Sequence, residues 1–301
     1  MSPTTIAGSH RTLPTVGLLS VTVVWGSTFF LIKDAVERMP VADFLAVRFL
    51  VAAVVMACLY PRAVSALSAA GRRHAVVLGL LYGAAQLLQT YGLERTPASV
   101  SGFVTGMYVV FTPLLAAALL RERVGALSWA AVALATGGLA LLSLRGLSVE
   151  AGVWLTLASA LLYALHILAL GAWSTRESAY GLAVVQMVVI AVVCGAAALP
   201  GGVTTPPDPT TWAAVLYTAL VAGAFALVVQ AWAQAQLDAT RAAVVMTMEP
   251  VFASAFAVAL GGESMTVRML AGGALVLTAM YVVELGPRHA AEATVPHPTA
   301  P

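Results

Sequence analysis

Ten stretches of about 20 mostly apolar residues, joined by short connections, constrain this chain more than any other feature. They lie at 13–32, 41–60, 75–93, 98–120, 125–143, 152–172, 179–199, 211–236, 240–260 and 267–285. At about 1.5 Å of rise per residue, each is long enough to cross a bilayer as a helix. In hydrocarbon every backbone N–H and C=O must find its partner inside the protein, so a helix is what such a stretch must form. Composition agrees, because 60% of the 301 residues are hydrophobic and 9% are charged, against roughly 25% charged in a soluble protein.

Little chain remains outside the spans. Residues 1–12 read as a cytoplasmic N-terminal tail, and 286–301, with the string "PRHAAEATVPHPTAP", as a disordered C-terminal one. The first apolar run leads into "FFLIKDAVERMP" with no small-residue cleavage site, so it reads as a retained helix rather than a signal peptide. A net charge of +2 without a basic run excludes a nucleic-acid partner. Lys33 is the only lysine and there is no GxxxxGK, which excludes ATP hydrolysis at a P-loop. Cys58 and Cys194, both in apolar runs, read as small core residues, and no metal or cofactor site is expected.

The spans also repeat. "VVWGSTFFLIKDAVERMPVADFLAVRFL" aligns with "LLYALHILALGAWSTRESAYGLAVVQMV", setting Trp25 on Tyr163 and Arg48 on Gln186 at an offset of 138. Further along, Gln89 falls on Gln230, Tyr108 on Glu249 and Glu122 on Glu263 at an offset of 141. The loop "PGGVTTPPDP" between the seventh and eighth spans accommodates the three extra residues. The expected fold is therefore all-α and membrane-embedded: ten transmembrane helices as two five-helix repeats, 13–143 and 152–285. Because five is odd, the second repeat must enter from the opposite face, giving inverted repeats with a binding site at the midplane between them. Counting Lys and Arg in the loops places nine inside and five outside if both termini are cytoplasmic.

Ionisable groups within spans cost roughly 2.5–3.5 kcal/mol each on insertion scales and so mark candidate sites. Arg48, His166 and Glu249 stand out. Arg48 lies roughly 10 Å and Glu249 about 16 Å from the outer ends of their helices, close enough in depth to meet if those helices are neighbours. Backbone carbonyls or Asp43 are the alternative partners for Arg48. Polar and aromatic stripes add Tyr82, Gln86 and Gln89 in the third span, Tyr163 in the sixth and Gln230 in the eighth, with Trp25, Tyr108 and Trp232 facing the same space. Such stripes serve either as interhelical glue or as a cavity lining. Gly79 and Gly83, then Gly102 and Gly106, have GxxxG spacing, while Gly137 and Gly138 correspond to Gly272 and Gly273. Packing is the main reading, and a homodimer face on the fifth and tenth spans the lesser one.

"WGSTFFLIKDAV", "VRFL", "TGMYVVFTPLLAAALLRE" and "RAAVVMTMEPVFASAFAVALGGE" resemble the drug/metabolite transporter superfamily, in particular its EamA-type ten-helix branch. The resemblance covers both repeats in order. It implies an inner (plasma) membrane carrier, not an enzyme, that exports amino acids, related metabolites or drugs by alternating access, with the proton as candidate coupling ion. It touches Trp25, Gly26, Arg48, Phe49, Glu249, Pro250, Glu122 and Glu263. Pro250 is expected to bend the ninth helix by removing a backbone hydrogen bond, and Glu122 and Glu263 to sit in interfacial water. A membrane-embedded enzyme and a passive pore are the competing readings.

Overall fold

A computed structural model of the chain describes residues 9–62, 64–120, 126–145, 148–175, 178–234 and 245–285. They form helices α1 (Ser9–Val36), α2 (Val41–Leu59), α3 (Ala69–Glu94), α4 (Ala98–Thr105), α5 (Tyr108–Leu120), α6 (Ala126–Ser143), α7 (Ala151–Trp173), α8 (Ala179–Ala198), α9 (Pro209–Leu216), α10 (Ala226–Gln234), α11 (Glu249–Ala259) and α12 (Val267–Leu285). A π-helical segment, Tyr217–Phe225, joins α9 to α10. A short 3₁₀ turn, Leu199–Gly201, and a two-residue antiparallel ladder, Leu144–Arg145 with Ser148–Val149, complete the elements.

Seven helical spans are long and apolar enough to cross a membrane, and three shorter apolar helices, Trp129–Leu142, Glu249–Ala259 and Val267–Val282, fall on the expected fifth, ninth and tenth spans. Large apolar side chains such as Leu50, Trp129, Trp154, Val192 and Leu270 are exposed on the outside of the bundle. A soluble protein rarely leaves this much apolar surface uncovered, whereas lipid covers it. The expected N-terminal tail overlaps the helix, since α1 starts at Ser9. The C-terminal tail 286–301, residues 1–8 and Glu122 lie outside the described residues.

Local chemistry sets the helix ends. Pro40 and Pro97 precede α2 and α4, positions where the restricted proline backbone suits helix entry. Asp208 caps α9 by accepting from the Thr211 amide at 2.9 Å, with Pro209 next in the first turn. Gly262, with φ of 71°, follows the end of α11 in the left-handed region that glycine adopts without strain.

Two expected helices are interrupted. The fourth span breaks at Gly106–Met107 into α4 and α5, and the ninth breaks at Thr247–Met248 immediately before α11. Each break is a tightened turn, with Met107 N–H donating to Val104 O and Met248 N–H to Val245 O, both at 3.1 Å. Pro250 therefore does not bend a continuous helix. It sits in the first turn of α11, where its missing N–H would have had no intrahelical partner anyway.

The most extensive helix contacts run between 13–143 and 152–285, and they come in pairs. α3 packs on α7 as α10 packs on α1; α3 on α8 as the π segment on α2; α5 on α7 as α11 on α1. α2–α8, α4–α11 and α6–α12 close the set. Glycine lets several of these backbones touch. A Cβ added at Gly26 would lie 2.5 Å from Phe252 Cβ, and one at Gly138 would lie 2.7 Å from Gly272 O. Gly138 and Gly272 thus serve a crossing within one chain, while Gly137 meets nothing within 4 Å. The glycine stripe expected on a dimer face is largely consumed inside the bundle. Cys194 is buried as expected, but Cys58 is exposed on α2.

At one end of the bundle the end of α1 meets the end of α3, where Lys33 Nζ donates to Leu93 O at 3.1 Å and Glu94 O at 2.8 Å. The start of α7 lies there too, since a Cβ on Gly152 would be 2.7 Å from Gly92 O. Tyr60 on Tyr180 and His74 on Trp173 stack at the opposite end, at 5.4 and 4.2 Å between centroids.

Candidate functional site

Inside the bundle, polar side chains from α3, α4, α7 and α8 gather into one network. Tyr163 on α7 is its hub. Gln86 Nε2 donates to the Tyr163 hydroxyl at 2.6 Å, which donates to Gln89 Oε1 at 2.9 Å, and Gln89 Nε2 donates to Thr105 Oγ1 at 3.0 Å. Tyr82 sets its ring edge-on to both Tyr163 and His166, at 5.3 and 5.2 Å between centroids. His166 Nε2 lies 2.8 Å from Gln186 Oε1. The helical spacing of Tyr82, Gln86 and Gln89 on α3 produces this shared face, and burial obliges each polar atom to find a partner.

Arg48 and Glu249 flank the network without meeting. Arg48 is 5% exposed, its Nε donates to Thr218 O at 3.3 Å, and its Cζ lies 4.7 Å from the centre of the Phe49 ring. Its Nη1 has no hydrogen-bond partner in the protein. Asp43, the alternative partner, instead accepts from the Thr204 amide at 3.0 Å and the Thr204 hydroxyl at 2.5 Å. Glu249 is buried at the head of α11 and takes a long hydrogen bond, 3.3 Å, from the Tyr108 hydroxyl at the head of α5. Among the described residues there is no Arg48–Glu249 ion pair. The reason is connectivity: Arg48 faces α8 and the π segment, whereas α11 packs on α1 and α4.

The other expected residues divide. Trp25 donates its indole N–H to Ala222 O in the π segment at 2.9 Å, and Gln230 is buried. Trp232 is 37% exposed and its ring packs over Gly17 of α1.

The EamA-like transporter family's sequence pattern matches residues 14–144 and matches again over 150–285. The chain belongs to the EamA-like transporter family. An uncharacterised transporter of Archaeoglobus fulgidus is 29% identical over 279 residues, covering 92% of this chain and 88% of that protein. One solved crystal structure shares the fold with a TM-score of 0.66 at 19% identity, covering 91% of this chain and 97% of the other. This EamA-like protein is thus a multi-pass membrane protein, and both the family and the relative's name point to transport rather than enzymatic chemistry.

Several polar contacts of this EamA-like chain escaped sequence reasoning. Glu263, expected in interfacial water, caps α4 across 165 residues, accepting from the Ala98 amide at 2.6 Å and from the Ser99 hydroxyl. The π-helical carbonyls that receive Arg48 and Trp25 had no signal beyond an apolar run, because π turns arise from packing. Gln186 did have one, as the repeat counterpart of Arg48.

Proposed function

We propose that this EamA-like protein is a secondary active exporter of amino acids or related small metabolites and drugs, working by alternating access between two inverted repeats. The observation that carries the reading is the duplicated helix break. Gly106–Met107 and Thr247–Met248 are 141 residues apart, and the residues that follow them, Tyr108 and Glu249, touch each other inside the bundle. Broken helices facing each other at the meeting of two repeats are how many carriers expose backbone and polar side chains to a substrate at the bilayer midplane. The paired contacts between halves, and the meeting of the end of α1 with the start of α7 at one end, support opposite entry of the two segments.

In this reading the Tyr163 network and Arg48 form the substrate side of the cavity, and Glu249 is the candidate proton carrier. It is a buried carboxylate with one long hydrogen bond among the described residues, poised to change partner or protonation as the halves rock. The protein sits in the inner membrane with both termini cytoplasmic.

Counterflow in proteoliposomes tests the carrier reading. External substrate accelerates exit of internal labelled substrate from a carrier, whereas a pore or an enzyme gives no trans-stimulation. Amino acids are the first solutes to try in everted vesicles. Absence of trans-stimulation for every transported solute would overturn alternating access in favour of a pore.

A further inference from the structure

A small cavity lies where α2 crosses α8 and the π segment, lined by Arg48, Tyr82, Gln186, Met187 and Leu227 among others. We infer that it is a carboxylate site: the buried Arg48 guanidinium, with Gln186 and Tyr82 beside it, receives the carboxylate of the transported solute. The inference rests on the carrier reading above and narrows its substrates to carboxylate-bearing molecules.

Three observations converge on this assignment. Arg48 is 95% buried, taking its 5% exposure as the remainder, and its Nη1 has no partner in the protein. A guanidinium left this way in a dry interior is costly, and the chemistry that satisfies it is a planar oxyanion. The neighbours are chosen for the same chemistry. Gln186 Oε1 is engaged with His166, so what Gln186 offers the cavity is its NH₂, a second donor. Among the described residues no Asp or Glu lines the space. Finally, Arg48 and Gln186 are repeat counterparts, so the cavity straddles the place where the halves meet and carries one cation rather than two. A single guanidinium matches a monoanionic carboxylate better than a phosphate dianion.

The cavity has space for a single water molecule. A carboxylate therefore enters only when α8 and the π segment draw away from α2. Anion binding is thereby tied to movement between the halves.

The test uses the full-length purified protein in detergent and three matched pairs of probes: acetate and acetamide, benzoate and benzamide, L-leucine and L-leucinamide. At least one carboxylate should raise the melting midpoint by several degrees at about ten times its Kd, while its amide does not. Arg48→Gln should abolish that difference. Should Arg48→Gln fail to fold, Gln186→Leu, which keeps the guanidinium, should weaken the carboxylate about tenfold. The assignment falls if no carboxylate outperforms its amide, if both variants retain the difference, or if inorganic phosphate alone stabilises through Arg48. Counterflow separates this from the carrier reading. Trans-stimulation by amides but not carboxylates overturns the anion site and keeps the carrier. Arg48-dependent stabilisation by a carboxylate whose transport shows no trans-stimulation keeps the site and overturns the carrier.

Discussion

Glu249 and Tyr108 occupy equivalent places in the two repeats, each opening a helix after a break, yet only one of them is a carboxyl group. If Glu249 carries the coupling proton, Glu249→Gln keeps the shape and the contact with Tyr108 while removing the exchangeable charge. We expect efflux in everted vesicles to lose its dependence on the pH gradient, with the maximum rate falling at least tenfold; an unchanged profile and rate would leave Glu249 structural. Tyr108→Phe removes the hydroxyl that donates to Glu249 and should have a milder effect, because a 3.3 Å contact is a weak one. Both residues could be singled out in the sequence, Glu249 as a charge in an apolar run and Tyr108 as its counterpart. Their contact could not, since it depends on α5 and α11 starting at the same depth.

Helices in this fold are held by crossings and caps that the chain places far apart. At the α6–α12 crossing, Gly138→Leu forces a side chain against the Gly272 carbonyl and should destabilise by about 1–3 kcal/mol. Gly137→Leu, one residue away in open space, should leave the melting midpoint in detergent nearly unchanged. Glu263→Ala uncaps α4 and should cost about 1 kcal/mol, with the loss visible as faster amide exchange at Ala98 and Ser99. The cap on α9 carries a pH signature. Hydrogen bonds from Thr211, with Arg38 adding attraction, hold the Asp208 carboxyl below its ordinary value near 3.8. A depressed carboxyl stabilises above the unfolded pKa and stops doing so as pH falls through the folded one. Asp208→Asn should therefore lower stability at neutral pH, where the charged cap contributes, and flatten the acid limb, the difference from the parent closing as pH falls through the folded pKa.

At the scale of the molecule, the proposed inverted arrangement makes a direct prediction about sides. With a cysteine-free background, a cysteine at Val203, which is 52% exposed, should react with a membrane-impermeant maleimide in intact cells. One at the exposed Arg62 should react only in everted vesicles, and the reverse pattern would turn the protein over. The most extensive helix contacts cross between the halves, so each five-helix segment covers much of the other's apolar surface.

The spans, the doubling of the chain and the residues worth mutating were all legible in the sequence. Hydrophobic length dictates a membrane helix whatever its neighbours, and a duplicated gene keeps its polar landmarks in register. What the tertiary structure alone decided is who meets whom. Arg48 faces a π-helical carbonyl and Gln186 rather than Glu249; Glu263 caps a helix 165 residues away; Pro250 starts a helix instead of bending one. Each is settled by which helix faces pack together. That packing is a property of both repeats at once, and a run of valines and alanines carries little record of it.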